Sequence, residues 1–280
     1  MNAVELPTPP PAAQAPTQQA SWKRYFTFEN RYLPPILITC ILLFGQFTFG
    51  MLESWTRTGS AIAASIVAEM ILARWMFGKW PHLASAYISG ISVGILVRSP
   101  FYWPYIFCAV ISIMSKYVLR WRGKHLWNPS NFGVSATLFL YPAAAASLSI
   151  QWGNNLAPMA IVWCLGLIIV TRIKRLHITL TYVATFLLLS FVRSQITGNP
   201  WSASVAPLTG PMYQLFVFFM ITDPKTTVSS RRGQIVVAAL VGIVEMLLRL
   251  AEVIHAPYYA LFIVGPIANV IELALQGKKR

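Results

Sequence analysis

Two short polar stretches interrupt a largely apolar sequence, and their residue types could bind an anionic or carbonyl-bearing ligand. The first, GKHLWNPSNFG, runs from Gly123 to Gly133 and contains Asn128, Ser130 and Asn131. Asn followed by Pro predicts a helix N-cap and first turn, whose free N–H groups would suit a phosphate, a carboxylate or a flavin ring oxygen. An ordinary capped helix start explains this stretch equally well.

The second polar stretch, FFMITDPKTTVSSRRG, begins at Phe218 and contains the only Asp of the chain, Asp223. An Asp-Pro step is a common turn starter, and the carboxylate could simply neutralise Lys225 or a nearby arginine. If both polar loops lie on the same face of the protein, they could nevertheless form a ligand-binding site together. Its candidate binding residues in this second stretch are Thr222, Asp223, Thr226 and Thr227.

Charged residues inside apolar runs are the candidates for an ion pathway. Glu69 stands alone in the second run and could relay a proton or cation, although an interhelical hydrogen bond explains it as well. Glu245, Arg249 and Glu252 are spaced i, i+4 and i+7, which predicts that all three project from one side of a helix. Charges at that depth are expected to pair rather than face lipid.

Composition places the protein in a membrane. The 280 residues are 56% hydrophobic and only 11% charged, with a mean hydropathy of +0.59. A soluble domain has about a quarter charged residues, so a soluble enzyme or binding module is excluded. The formal charge of +14 is spread over short loops, which anionic headgroups explain without nucleic acid.

Ten apolar runs predict an all-α polytopic fold of about ten transmembrane helices. An odd number of spans in each half permits two inverted five-helix repeats, over about 32–150 and 157–275. Residues 1–21, rich in Pro, Ala and Gln, are predicted to be a disordered cytoplasmic tail before a single transmembrane domain at 22–280. The runs are Tyr32–Met51, Ala61–Phe77, Ala84–Val97, Phe101–Val118, Phe132–Ile150, Ala157–Thr171, Ile178–Phe191, Ala206–Ile221, Ile235–Leu250 and Pro257–Leu275.

The basic residues predict the orientation of these spans. With ten spans, all Lys and Arg except Arg57, Arg98, Arg193 and Arg249 fall on the same face as both termini. The positive-inside rule therefore predicts a multi-pass protein of a bacterial inner membrane with both termini in the cytoplasm.

Sequence signatures of a self-contained active site were not found. The chain has no Walker loop, dinucleotide glycine fingerprint, HExxH or GxSxG motif, and its four histidines are not placed to ligate haem. We therefore expect no metal site and no stand-alone catalyst, but leave open a subunit of a membrane oxidoreductase.

Four motifs resemble the NqrB/RnfD family, the membrane subunits of sodium-pumping NADH:quinone reductase and of the Rnf electron-transport complex. They are SGISVGILVRSPFYWPY from Ser89, SKYVLRWRGKHLWNPSNFG ending at Gly133, FFMITDPKTTVSSRRG from Phe218 and GPIANVIE from Gly265 to Glu272. The resemblance implies a ten-helix bundle of two repeats that holds flavins and passes electrons, often coupled to Na+ or H+ movement.

The family's covalent flavin site has no counterpart here. Family members attach FMN to a threonine of an S/T-G-A-T motif between spans five and six, whereas the matching stretch from Tyr141 to Pro158 contains no threonine. In this respect the chain is similar to stand-alone RnfD-like relatives, including those described as enediyne biosynthesis proteins. The resemblance then implies FMN or riboflavin held without a covalent bond, or no flavin.

Three functional hypotheses follow. The first is an electron-transport subunit that binds flavin non-covalently near Asn128, Asn131, Thr222, Asp223 and Thr226 and receives electrons from a separate redox partner protein. The second is a transporter or channel for a small solute or ion, with Glu69 or Glu245 as the coupling group. The third is a membrane anchor for a biosynthetic or redox assembly.

Overall fold

The computed structural model describes residues 33–50, 52–147 and 156–277. The predicted tail at 1–21, the polar segment 151–155 and the basic C-terminal residues 278–280 lie outside the described residues. The predicted domain limits and orientation therefore stay predictions. Within the described ranges, regular structure is helical apart from four strands of two residues each.

The first half of the chain forms five helices. Two short antiparallel pairings, β1 with β4 and β2 with β3, join their ends. The elements are α1 (Leu33–Phe49), α2 (Trp55–Phe77), α3 (Ala84–Leu96), β1 (Val97–Arg98), α4 (Trp103–Val118), β2 (Arg120–Trp121), β3 (Lys124–His125), α5 (Pro129–Leu140) and β4 (Ala146–Ser147).

The second half contains longer helices around a broken segment. A 3-10 turn (Ala206–Thr209) and a π-helical turn (Phe216–Met220) flank a short helix within that segment. The helices are α6 (Leu156–Arg172), α7 (Leu176–Thr197), α8 (Trp201–Val205), α9 (Pro211–Leu215), α10 (Arg231–Leu250) and α11 (Ala256–Gly277).

Every predicted apolar run contains helical structure, which confirms the all-α polytopic membrane class. Four helices, α2, α7, α10 and α11, are by length and composition long and apolar enough to cross a membrane, and the broken segment makes a fifth if it counts as one span. Several other helices are apolar but shorter, including α3 and α4. Ten complete spans therefore remain a prediction.

Large apolar side chains cover the outer faces of the helices. Ile71 on α2 is 61% exposed, Leu188 on α7 is 65% exposed and Leu247 on α10 is 57% exposed. Contiguous apolar surface of this kind is unfavourable in water and suits hydrocarbon. The exposed surface thus supports the membrane assignment independently of the hydropathy of the sequence.

Helix α5 is shorter than the sequence predicted. The run Phe132–Ile150 indicated a full span, but the helix begins at Pro129 and ends at Leu140. Pro142 follows two residues later, and proline disfavours helical backbone at the residue before it, here the C-cap Tyr141. The chain then turns so that Ala146 and Ser147 pair with β1.

The eighth predicted run falls within a bent pair of helices. Its two parts, Trp201–Thr209 and Met212–Met220, are bent by 66°. Pro207, Gly210 and Pro211 lie at or near the bend, and each of these residue types weakens a continuous helix. The break leaves backbone carbonyls, such as that of Ser204, available to side chains of α7 and α10.

Helices α2 and α3 pack closely because two glycines of α3 carry no side chain. A Cβ atom on Gly90 would lie 2.5 Å from the Cα atom of Ile62, and one on Gly94 would overlap the side chain of Thr58. Gly90 and Gly94 have the GxxxG spacing, which here acts as a helix-packing motif, the usual reason for such glycines in membranes.

One apolar core joins the two halves of the chain. Ile91 and Tyr105 from the first half belong to the same buried cluster as Phe216 and Tyr258 from the second half. The polar loops described next are fixed at one end of this shared core.

Candidate functional site

The first polar loop starts α5 as predicted. Asn128 has extended backbone angles, and its side-chain Oδ1 atom accepts a hydrogen bond from the N–H of Asn131 at 3.0 Å. Pro129 occupies the first turn, where its missing N–H costs nothing. The N-cap prediction is confirmed, and Ser130 is buried beside it.

The second polar loop is organised around Asp223. Its Oδ1 atom accepts from the N–H of Lys225 at 3.1 Å, and its Oδ2 atom accepts from the hydroxyl of Thr226 at 2.9 Å. The hydroxyl of Thr227 donates to the backbone carbonyl of Asp223. Burial raises the pKa of this carboxyl above its usual value, while these bonds and that from Asn128 oppose the rise.

The two loops are in direct contact. The side-chain Nδ2 atom of Asn128 donates to Oδ2 of Asp223 at 3.2 Å, so Asn128 caps its own helix with one amide atom and holds the other loop with the other. The structure therefore brings together Asn128, Asp223 and Thr226 as expected. Thr222 does not join this contact, because its hydroxyl donates to the carbonyl of Phe218 one turn earlier.

Helix α11 ties both loops together through Asn269, a residue that the sequence analysis did not select. Its Nδ2 atom lies 3.0 Å from the carbonyl oxygen of Leu126 and 2.6 Å from that of Thr226. Earlier on α11, the carbonyl of Tyr258 accepts from the side chain of Asn131 at 3.2 Å. In the sequence, the feature that could have indicated this contact is a polar Asn within the otherwise apolar GPIANVIE motif.

Charged groups extend the same contact toward the end of α11. Glu272 accepts from Nζ of Lys124 at 2.8 Å and from the N–H of Ser229 at 2.6 Å. The guanidinium of Arg122 donates to the carbonyl of Leu273 at 2.9 Å. Three of the four motifs that resemble the NqrB/RnfD family thus meet in one hydrogen-bonded cluster, which we call the loop cluster: Asn128, Asn131, Asp223, Thr226, Asn269 and Glu272.

The loop cluster is tightly closed. The cavity between its walls, lined by Trp127, Asn128, Thr226 and Gln234 among others, has a volume of about 20 Å³. That space suits roughly one water molecule. The loop polar groups mostly bond to one another, although Oδ1 of Asn131 and Oδ1 of Asn269 lack a partner within the described part of the chain. A flavin ring does not fit between the loops in this arrangement.

Glu69 forms an interhelical contact, which is one of the two interpretations that the sequence left open. Its carboxylate forms a buried ion pair with Lys116 and accepts from the hydroxyl of Tyr117 at 2.9 Å. Both partners lie on α4, so Glu69 joins α2 to α4. The sequence could not reveal this pairing because 47 residues separate Glu69 from Lys116.

The predicted triad on the ninth span does not form one cluster. Glu245 is fully buried and accepts from the hydroxyls of Tyr182 and Tyr213, whereas the guanidinium of Arg249 donates to the carbonyl of Ser204 at 2.7 Å. Helix α10 ends at Leu250, so Glu252 lies beyond it, exposed and with a positive φ of 60°. The i, i+7 interpretation of Glu252 was wrong, because the helical spacing stops before it.

Apolar helices with lipid-facing surfaces and a polar loop cluster at one end define a polytopic α-helical membrane protein. Residues 149–279 match the sequence model of the NQR2, RnfD, RnfE family. Over 128 residues, the chain is 32% identical to the RnfD subunit of the ion-translocating oxidoreductase complex of Cronobacter sakazakii, in an alignment that covers 45% of this chain and 35% of that relative. The resemblance to the NqrB/RnfD family is thereby confirmed over residues 149–279.

The matched region determines which motifs this finding supports. It contains ITDPKTT and GPIANVIE, while the motif from Ser89 and the NPSNFG motif precede residue 149. The chain spans about a third of the length of the curated relative it matches. The activity and partners of that relative are therefore carried to this chain only as proposals.

Proposed function

We propose that this protein is a membrane-embedded subunit of an ion-translocating electron-transport complex. The proposal rests on the match of residues 149–279 to the NQR2, RnfD, RnfE family and on the similarity to a subunit of an ion-translocating oxidoreductase complex. A subunit of this kind passes electrons within the membrane while separate partner proteins deliver or accept them. Its location would be a bacterial inner membrane.

The loop cluster is the structural observation that carries this proposal. Asn128 from the first half bonds Asp223 from the second half, and Asn269 of the family-like GPIANVIE motif holds both loops. Conventional helix packing does not require three polar motifs to converge at one end of a bundle. Such convergence suits a fixed platform where a partner protein or a cofactor meets the membrane subunit.

Electron transfer across the membrane can be tested without knowing the partner. The purified chain would be reconstituted into vesicles that contain ferricyanide, and dithionite would be added outside. We expect the bleaching of the trapped ferricyanide to be faster than in protein-free vesicles prepared identically. Equal bleaching rates in the two preparations would contradict an electron-transfer role for the chain by itself.

Non-covalent binding of FMN or riboflavin is part of the proposed function. The flavin ring is, however, larger than the space within the closed loop cluster. Binding at Asn128 and Asp223 would require the bond between them to open. The visible spectrum of the protein purified in mild detergent tests this directly. Flavin released by denaturation, in an amount close to that of the protein, would support binding; its absence from the purified chain would defeat this part of the proposal.

Transport of a cation is the second candidate function, and one observation favours it. Glu245 is a fully buried carboxylate between α7, α9 and α10, with two tyrosine hydroxyls as donors. Buried acidic groups in membrane helices commonly mark ion pathways. Cation uptake into proteoliposomes should then fall sharply in Glu245→Gln, and uptake equal to wild type in both Glu245→Gln and Glu69→Gln would count against transport through these groups.

A further inference from the structure

A second pocket, separate from the closed loop cluster, opens where the α6–α7 turn meets the start of α10. This groove has a volume of about 660 Å³, and its basic lining residues are Lys174, Arg175 and Arg231. Among the residues that the structure describes, no acidic side chain contributes to its lining. We refer to it as the basic groove.

In the described part of the chain, no salt bridge neutralises the positive charge of the basic groove. The Nη1 atom of Arg175 is buried and has no hydrogen-bond partner in the described ranges of the chain. Glu272 reaches the neighbouring Ser229 N–H but is itself paired with Lys124. Three cations close together repel one another, and an anion in the groove would relieve that repulsion.

The walls of the basic groove are held in place by hydrogen bonds. His177 and Gln234 are joined through Nε2 and Oε1 at 2.6 Å, and Nε2 of Gln234 donates to the carbonyl of Val228 at 2.8 Å. Lys174 follows α6 with a left-handed backbone, φ 56°, which is unusual for a residue other than glycine or asparagine. The bond between His177 and Gln234 joins α7 to α10 at the groove.

An apolar track continues from the basic groove along the lipid-facing side of α7. Leu180 lines the groove and is 58% exposed, and Leu187 and Phe191 follow at i+7 and i+11 on the same face, both exposed. At 1.5 Å per residue this track is about 16 Å long, roughly half the thickness of the hydrocarbon core. Basic groups at one end and an apolar stripe below match the chemistry of a phospholipid.

We propose that the basic groove binds the phosphate group of an anionic membrane phospholipid, with an acyl chain lying along Leu180, Leu187 and Phe191. Arg175 and Arg231 supply fork-shaped donors suited to phosphate oxygens, and Lys174 adds a third positive charge. The ligand chemistry is that of a phosphate monoanion or diester. Inorganic phosphate could bind the same basic residues, but it has no acyl chain to contact the apolar track.

Lipid binding can be measured on the full chain in mild detergent by native mass spectrometry and by thermal unfolding. Dioleoyl phosphatidylglycerol, dioleoyl phosphatidylcholine and inorganic phosphate would be added separately. The test variant is the double substitution Lys174→Gln and Arg231→Gln. The matched control is Arg172→Gln with Arg232→Gln, which removes the same charge from exposed neighbours that do not line the groove.

We expect phosphatidylglycerol to be retained and to raise the thermal midpoint of the wild type and the matched control. Apparent affinity should fall about twenty-five-fold in the test variant, since each of the two basic residues near an anionic lipid contributes about fivefold. The charge-preserving variant Lys174→Arg should keep binding, which separates loss of charge from a folding defect.

Four results would overturn the proposal. One is equal retention of phosphatidylglycerol by the test variant and the wild type. Another is an equal loss in the matched control, which would indicate general charge attraction. The third is protection by inorganic phosphate as strong as that by phosphatidylglycerol, which would assign the groove to a free phosphate. The fourth is binding of phosphatidylcholine as strong as that of phosphatidylglycerol.

Discussion

Two polar side chains, those of Asn128 and Asn269, each join segments that lie far apart in the chain. Asn128 caps α5 and contacts Asp223 with the same amide group, and Asn269 serves two carbonyls from different loops. Each bond is modest in free energy, but an unsatisfied buried carbonyl costs about 1–3 kcal/mol. Loss of one such residue is therefore expected to affect several segments together.

Replacing Asn269 with Leu should destabilise the protein, because the carbonyls of Leu126 and Thr226 would both lose their shared donor. We expect the free energy of unfolding to fall by about 2–4 kcal/mol, which would be seen as a lower thermal midpoint in detergent. Gln276→Leu, at an exposed position of the same helix, is the matched control and should change little. Equal midpoints for both variants would contradict the bridging role of Asn269.

His125 gives the stability of the loop region a pH dependence. Burial, followed by the nearby charges of Arg120, Lys225 and Lys116, lowers the pKa of His125 to about 4 from its usual value near 6.5. A depressed pKa means that the folded state resists protonation, so its stability is fully present above about pH 6.5 and is lost as the pH falls toward 4. His125→Gln should flatten this part of the profile of thermal midpoint against pH, and parallel profiles for the two proteins would show that His125 is not responsible.

Helix-to-helix contacts depend on small residues and on one buried ion pair. Gly90 and Gly94 let α3 approach α2, and Glu69 on α2 bonds Lys116 and Tyr117 on α4. Membrane helices gain little from apolar burial against one another, because lipid is equally apolar. Close backbone approach and polar bonds between helices therefore determine which helices pair in this half.

Gly90→Ala should weaken the contact between α2 and α3. The added methyl group would lie 2.5 Å from the Cα atom of Ile62, and backbone cannot move aside as a flexible side chain can. We expect the free energy of unfolding to fall by about 1–3 kcal/mol, as measured by thermal unfolding in detergent. Gly59→Ala on α2, where no atom lies within 4 Å of the added methyl, should leave stability unchanged or raise it slightly. A similar response of both variants would exclude close packing as the role of Gly90.

The pair Glu69 and Lys116 should behave as a unit. Lys116→Met leaves a buried carboxylate without its cation and is expected to cost about 3–5 kcal/mol. Adding Glu69→Gln to that variant should restore much of the loss, because the uncompensated charge is removed. A double-mutant cycle on thermal unfolding measures this coupling, and strictly additive effects would mean that the pair contributes no net interaction.

At the scale of the whole molecule, the two halves of the chain are joined at their core and at the loop cluster. The indole N–H of Trp127 donates to the carbonyl of Phe262 at 2.9 Å, and Asn131 bonds Tyr258. Both contacts connect the start of α5 to α11. The halves therefore form one packed body at the end where the family-like motifs lie.

Residues 1–150 and 151–280, expressed together as separate chains, should assemble in the membrane and purify together. Contacts between α5 and α11 and between Asn128 and Asp223 supply the interface. Pull-down through a tag on the first segment measures the recovery of the second. Introducing Asn131→Leu and Asn269→Leu should reduce that recovery, whereas Gln276→Leu should not; independent purification of the unmodified segments would contradict a joined bundle.

The sequence by itself determined the class of protein and the type of its elements. Apolar runs of sufficient length cannot fold as a soluble domain, and within lipid they form helices because backbone groups must bond internally. The N-cap at Asn128 and the packing role of Gly90 and Gly94 were also predictable, since caps and small-residue spacings act over a few neighbouring residues. The family resemblance came from short motifs that are readable without a fold.

Tertiary structure alone decided which distant groups meet. Three contacts join residues that are far apart in the chain. Glu69 pairs with Lys116, Asn269 donates to carbonyls of both loops, and Glu245 accepts from the hydroxyl of Tyr213. The end of α10 before Glu252 and the break between Thr209 and Met212 likewise escaped the hydropathy pattern. Hydropathy records how each residue prefers lipid or water, whereas these features depend on the hydrogen-bond partners that packing brings within reach.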